Sequence, residues 1–114
     1  MRSRESLLAE IVENPLPDPS VLSELKEYPW DCDRELVTIT KTHICTVLAA
    51  FREKRLTAKQ VQDWANRIEG RDDIGYEIGF EGAVNEAIFW LANPYINHPI
   101  DEKIYERIDN LFSC

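Results

Sequence analysis

The segment from Leu56 to Gly70 leaves the chain little choice about its local structure. Thr57 stands three residues before Gln60, so its hydroxyl accepts from the Gln60 amide while the Gln60 side chain returns a bond to the cap's backbone. Leu56 and Val61 flank this capping box as a hydrophobic staple. Val61, Trp64, Ala65 and Ile68 then recur at the i, i+3, i+4, i+7 spacing of one helical face. Gly70 occupies the place of a left-handed C-terminal cap. A helix with both ends specified and one apolar stripe must lay that stripe on something else.

The same grammar recurs along the chain. Thr40 is an N-cap, with Ile39 and Ile44 as its staple, and Ile44, Val47, Leu48 and Phe51 share one face. Arg52 to Arg55 end that helix, so residues 40–70 are predicted to form two capped helices in an antiparallel hairpin. Upstream, Leu7, Leu8, Ile11 and Val12 mark a helix over residues 4–13, stopped by Asn14-Pro15-Leu16-Pro17. Asp18-Pro19 reads as a cap with proline at the first helical position, followed by Val21, Leu22 and Leu25 and closed at Tyr28-Pro29-Trp30. Leu36 to Ile39 is briefly extended. Residues 70–80, with Gly70, Gly75 and Gly79, read as a loop. Val84, Ala87, Ile88 and Leu91 mark a further helix ended by Asn93-Pro94. Asp101 caps a last one, whose inward face is Ile104, Tyr105, Ile108, Leu111 and Phe112. With no strand-length alternation, the expected fold is all-α: an irregular bundle of about five to six short helices forming a single domain over residues 1–114.

Charge is distributed unevenly. Of a net −8, residues 1–68 carry −1, residues 69–86 carry −5 and residues 87–114 carry −2. The central eighteen hold Glu69, Asp72, Asp73, Glu77, Glu81 and Glu86 against Arg71 alone. This balance argues against nucleic-acid binding, which needs Lys and Arg to displace counterions from phosphates. Cys32, Cys45 and Cys114 are odd in number and without paired spacing, which suits a reducing compartment. No apolar run resembles a signal peptide or approaches the roughly 20 residues that cross a bilayer. A cytoplasmic protein that does not engage membranes is expected.

No constellation for chemistry emerges. His43 and Cys45 are two apart, on different faces of a helix, and no CxxC or HExxH occurs, so His43 is expected at the surface and Cys45 in the core. Placing Gly75 at the sixth position of a calcium loop puts Glu81 correctly at the twelfth. The first, third and fifth positions are then Gly70, Asp72 and Ile74, which rules out an EF-hand. A looser divalent site from Asp72, Asp73 and Glu77 stays open. Acid–base catalysis by paired carboxylates needs environments that separate their pKa values, whereas these acids are dense and glycine-flanked. There is no phosphate loop and no nucleophile elbow. Neither an enzyme nor a cofactor is expected.

The acidic run is interleaved with Ile74, Tyr76, Ile78 and Phe80, and Ile88-Phe89-Trp90-Leu91 follow it. One helix cannot turn four consecutive large apolar residues into one core. Either it is buried nearly all round, or Phe89 or Trp90 faces outward. Trp30 carries the same ambiguity. Acids beside exposed aromatics attract a basic protein partner. The expected contact residues are Asp72, Asp73, Tyr76, Glu77, Glu81 and Trp90.

The run Leu56 to Glu77 and the later Leu91-Ala92-Asn93-Pro94-Tyr95-Ile96-Asn97 resemble segments of small bacterial helical proteins of uncharacterised role. Size, acidity and helical content also resemble immunity proteins, which neutralise colicin-like or contact-dependent inhibition toxins. That resemblance implies one-to-one binding of a basic toxin domain by an acidic face that competes with nucleic acid. Two other classes stay open: a self-associating regulatory or structural protein using Phe89 or Trp90, and a metal-dependent enzyme using the carboxylates between Asp72 and Glu81.

Overall fold

Three helix starts, at Asp18-Pro19, Thr40 and Thr57, are used as the sequence predicts. A computed structural model describes residues 3–28, 34–97 and 99–112. Trp30, Cys32, His98 and Cys114 lie outside the described residues. Helix α1 (Arg4–Glu13) is capped by the Ser3 hydroxyl, which accepts from the Ser6 amide at 3.1 Å. Helix α2 (Pro19–Leu25) is capped by Asp18, which accepts from Ser20, with Pro19 opening the first turn. Helices α3 (Lys41–Arg52) and α4 (Ala58–Ile68) each begin with a reciprocal capping box, at Thr40 and Thr57. Gly70, at φ +80°, continues the chain past the α4 C-cap at Glu69. Helices α5 (Glu81–Ala92) and α6 (Ile104–Phe112) complete six among the described residues. Asp101 accepts from the Lys103 amide just ahead of α6. The all-α, irregular bundle is as the periodicity predicts.

The partner of the Thr40 box is His43. The Thr40 amide donates to His43 Nδ1 at 3.0 Å while the Thr40 hydroxyl accepts from the His43 amide. His43 is therefore a half-buried capping group and not a surface side chain. Burial lowers its pKa, against the opposing pull of Glu13 and Glu77, and keeps Nδ1 in the unprotonated form the cap requires. Cys45, expected in the core, is only partly buried, and desolvation raises its thiol pKa.

The end of α3 holds a more costly feature. The Arg55 amide donates to the Ala50 carbonyl at 2.9 Å and the Lys54 amide to Phe51 at 3.0 Å, the two bonds of a Schellman motif. Its left-handed residue, at φ 64°, is Lys54, where glycine is the usual occupant. Lys54→Gly is expected to raise stability by about 1 kcal/mol, or roughly 4–8 °C in the midpoint of a thermal melt followed by circular dichroism.

Two short strands join the helices, β1 (Val37–Ile39) and β2 (Ile74–Tyr76), paired in parallel with Val37 opposite Ile74 and Ile39 opposite Tyr76. A parallel pair needs a long crossover, here supplied by α3 and α4. Residues 74–76 were expected as loop, because three residues are too few to display alternation. The core beneath is built from Leu7, Leu8 and Ile11 of α1, Ile44 and Leu48 of α3, Trp64 and Ile68 of α4, and Val84, Ile88 and Leu91 of α5. Helix α4 packs most extensively against α5. No helix among the described residues is long and apolar enough to cross a membrane.

Candidate protein-binding face

Each acid of the 69–86 segment has a distinct local task, and those tasks decide which remain available to a partner. Asp73 is not at the surface at all: it is fully buried. Arg4 donates to its Oδ2 from Nε and Nη2 at 2.9 and 2.8 Å, and Arg71 donates from Nε to Oδ1 at 2.9 Å and from Nη2 to Oδ2 at 3.0 Å. Its backbone carbonyl accepts from Leu36 at 2.8 Å. Burial by itself would raise the Asp73 pKa, but the hydrogen bonds and charges of Arg71 and Arg4 outweigh it and hold the carboxyl below the usual aspartate range. The placement of Asp73 among the contact residues is therefore corrected: the group is consumed in tying α1 to the start of β2. The looser divalent site falls with it, because a fully buried carboxylate already neutralised by two guanidiniums offers a cation neither access nor unbalanced negative charge. Among the described residues no group of three acidic, histidine or cysteine side chains is placed to hold a metal.

Glu77 and Tyr76 are half-buried. Glu77 Oε1 accepts from the Lys41 amide at 2.9 Å, an orphan donor in the first turn of α3, where a carboxylate also complements the helix dipole. Tyr76 lies in β2, and burial, then the charges of Glu69 and Glu35, raises its phenol pKa. Both serve the scaffold first. Asp72 and Glu81 are exposed, Glu81 accepting from the Gly79 amide at the entry to α5.

Helix α5 resolves the question of its four consecutive apolar residues. Ile88 and Leu91 are fully buried, Phe89 is 38% exposed and Trp90 is half-buried, its indole N–H donating to Glu86 at 2.7 Å. Gly82, Asn85, Glu86 and Phe89 are exposed at the 3–4-residue spacing of one face, and Asn93 continues it. Beyond the helix end, Tyr95 is 90% and Ile96 71% exposed. Hydrogen bonds draw these groups into one neighbourhood. Asn93 Nδ2 donates to the Phe89 carbonyl at 3.0 Å and to Glu69 Oε2 at 2.9 Å, and the Ile96 amide donates to the Asn93 carbonyl. Acids thus border an exposed apolar strip.

The exposure of Tyr95 and Ile96 is not among the sequence-based expectations. The signal was present: Asn93-Pro94 forces the chain out of the helix, and apolar residues in a turn beyond such a stop have no helical face to carry them inward. Comparison with protein-family models, curated proteins and solved structures finds no match.

Proposed function

We propose that the chain is a protein-binding module whose docking face is the outer side of α5 together with the turn at Tyr95 and Ile96. One observation carries this: Phe89 is exposed on the outer side of α5 beside Glu86, and Asn93, bonded to the Phe89 carbonyl and to Glu69, leads straight into the exposed Tyr95 and Ile96. Aromatic side chains anchor interfaces because they bury a large area at small entropic cost, and flanking carboxylates select a partner rich in Lys and Arg. Asp72 and Glu81 add long-range attraction. The size, acidity and helical content of immunity proteins make the finer form of this proposal a cytoplasmic inhibitor that covers the basic surface of a toxin domain and excludes its nucleic acid.

The test is binding to a basic toxin domain encoded beside this chain, measured by surface plasmon resonance. Phe89→Ala and Tyr95→Ala are each expected to weaken the complex by about 2 kcal/mol, mainly through faster dissociation. Glu86→Lys should slow association and flatten its dependence on salt. Full affinity in the Phe89→Ala, Tyr95→Ala double variant would remove this face from the interface. The exposure of Phe89 also favours a second reading, self-association through the same strip. A dimer in sedimentation velocity that Phe89→Ala dissolves would select it.

A further inference from the structure

Between α2 and the end of α4 lies a cavity of about 360 Å³ whose chemistry runs against the rest of the chain. Among the described residues its lining comprises Leu22, Leu25, Lys26, Tyr28, Arg67 and Arg71, three apolar or aromatic side chains and three basic ones. In a sequence with 21 acids and 13 bases, the described part of this wall gathers three bases, of which Arg71 is already paired with Asp73 while Lys26 and Arg67 stand at the rim. The volume lies within the roughly 300–1,000 Å³ of small-molecule sites.

The cavity is also held in shape. Val21 and Leu25 are buried and fix α2 to the core, so the neighbouring Leu22 presents a defined wall. Arg67 is positioned by donation from Nη1 to the Pro15 carbonyl at 3.3 Å. Arg71 is buried and locked onto Asp73 by two bonds, which makes its stem a fixed surface. Lys26, the C-cap residue of α2, is exposed and carries no ion pair among the described residues. An apolar wall beneath a cationic rim matches neither a neutral hydrocarbon, which ignores the cations, nor an inorganic anion, which gains nothing from the leucines.

We propose that this cavity binds a small organic carboxylate with an apolar body. The hydrocarbon lies on Leu22, Leu25 and Tyr28, and the carboxylate meets Arg67 and Lys26 at the rim, where a guanidinium offers a planar fork that suits it. The site shares no residue with the α5 face, so each stands or falls separately.

The test titrates the full chain with benzoate, benzamide and inorganic phosphate, following amide chemical shifts by NMR. Benzoate is expected to give saturable shifts at Leu22, Leu25, Arg67 and Arg71, with a Kd on the order of 1 mM. Benzamide, equal in shape and uncharged, should bind at least about tenfold more weakly, and phosphate should give no saturable shift at Leu22 or Leu25. Lys26→Gln should weaken benzoate binding several-fold with an unchanged thermal melt, and Arg67→Gln should weaken it further. If the Arg67 variant is unfolded, the comparison of benzoate with benzamide and the Lys26→Gln variant still decide the matter. Absent or non-saturable benzoate shifts, equal affinity for benzamide, equal affinity for phosphate, or indifference to Lys26→Gln would each overturn the proposal.

Discussion

Asp73→Ala is expected to destabilise the protein by about 3–5 kcal/mol, a large share of the roughly 5–15 kcal/mol that holds a domain of this kind together. The size comes from what remains after the carboxylate is gone. Arg71 has a side chain only 5% exposed and Arg4 one 17% exposed, so two guanidiniums lose their shared acceptor where water reaches them poorly. Arg4 is nearer the surface and relaxes more readily, so most of the penalty falls on Arg71. The exposed neighbour supplies the control: Asp72→Ala should lie within about 0.5 kcal/mol of the parent. Urea denaturation measures both, and at a slope of about 1–3 kcal/mol/M the Asp73 variant should lose at least about 1 M in midpoint. Acid reports the same interaction. Because the folded-state pKa of Asp73 is depressed, its stabilisation is fully present above the ordinary aspartate pKa of about 3.9 and is lost as the pH falls through the folded value. Asp73→Asn should therefore be less stable than the parent at neutral pH and should lose less on acidification below about pH 4. An Asp73 variant matching Asp72→Ala in urea would show that the arginines find other acceptors at no cost.

Asp73 also shows where the sequence stops being informative. Helices α1, α3 and α4 announce themselves because their determinants lie within a few residues of one another: the Leu7, Leu8, Ile11 and Val12 spacing, Thr40 with the Ile39 and Ile44 staple, and Thr57 with Gln60. The strand at Ile74–Tyr76 has no such signature. It forms because Asp73 is clamped by Arg4, 69 residues away, and because its carbonyl receives the Leu36 amide, which brings β1 alongside. Nothing local distinguishes Asp73 from Asp72, yet one is fully buried and its neighbour exposed. A run of acids therefore overstates the acidic surface. Asp73 is spent on two arginines and Glu77 on the first turn of α3, leaving Asp72, Glu81 and Glu86 exposed and Glu69 partly so. The candidate face lay partly within reach of the sequence: the Ile88 to Leu91 run required that something face outward, and the periodicity of Val84, Ile88 and Leu91 fixed the inner side.

Trp64 carries the other large effect, because two separate contributions converge on it. It is the largest fully buried side chain, and it sits on α4, the helix that supports α5 from beneath. Its indole N–H donates to the Val12 carbonyl at 3.1 Å. Val12 lies in the last turn of α1, where carbonyls have no intrahelical donor, so this bond satisfies a buried acceptor that is otherwise left without one. Trp64→Phe keeps most of the apolar volume and removes the donor. The expected cost is about 2 kcal/mol, mostly the unsatisfied Val12 carbonyl. Trp64→Ala removes the ring as well and should cost about 3–5 kcal/mol, with a cavity opened at the junction of α1 and α4. The two variants separate the polar from the packing contribution, and hydrogen exchange locates the damage. Loss of the bond alone should speed exchange in the last turn of α1 while α5 stays protected, whereas the cavity should loosen α4 and α5 together. A Trp64→Phe protein within about 0.5 kcal/mol of the parent would mean that water or a shifted backbone satisfies Val12 once the indole is gone. If instead the phenylalanine variant keeps α5 protected and the alanine variant does not, then α5 owes the rigidity of its outer face to the volume of the ring beneath it, and not to the hydrogen bond the ring makes.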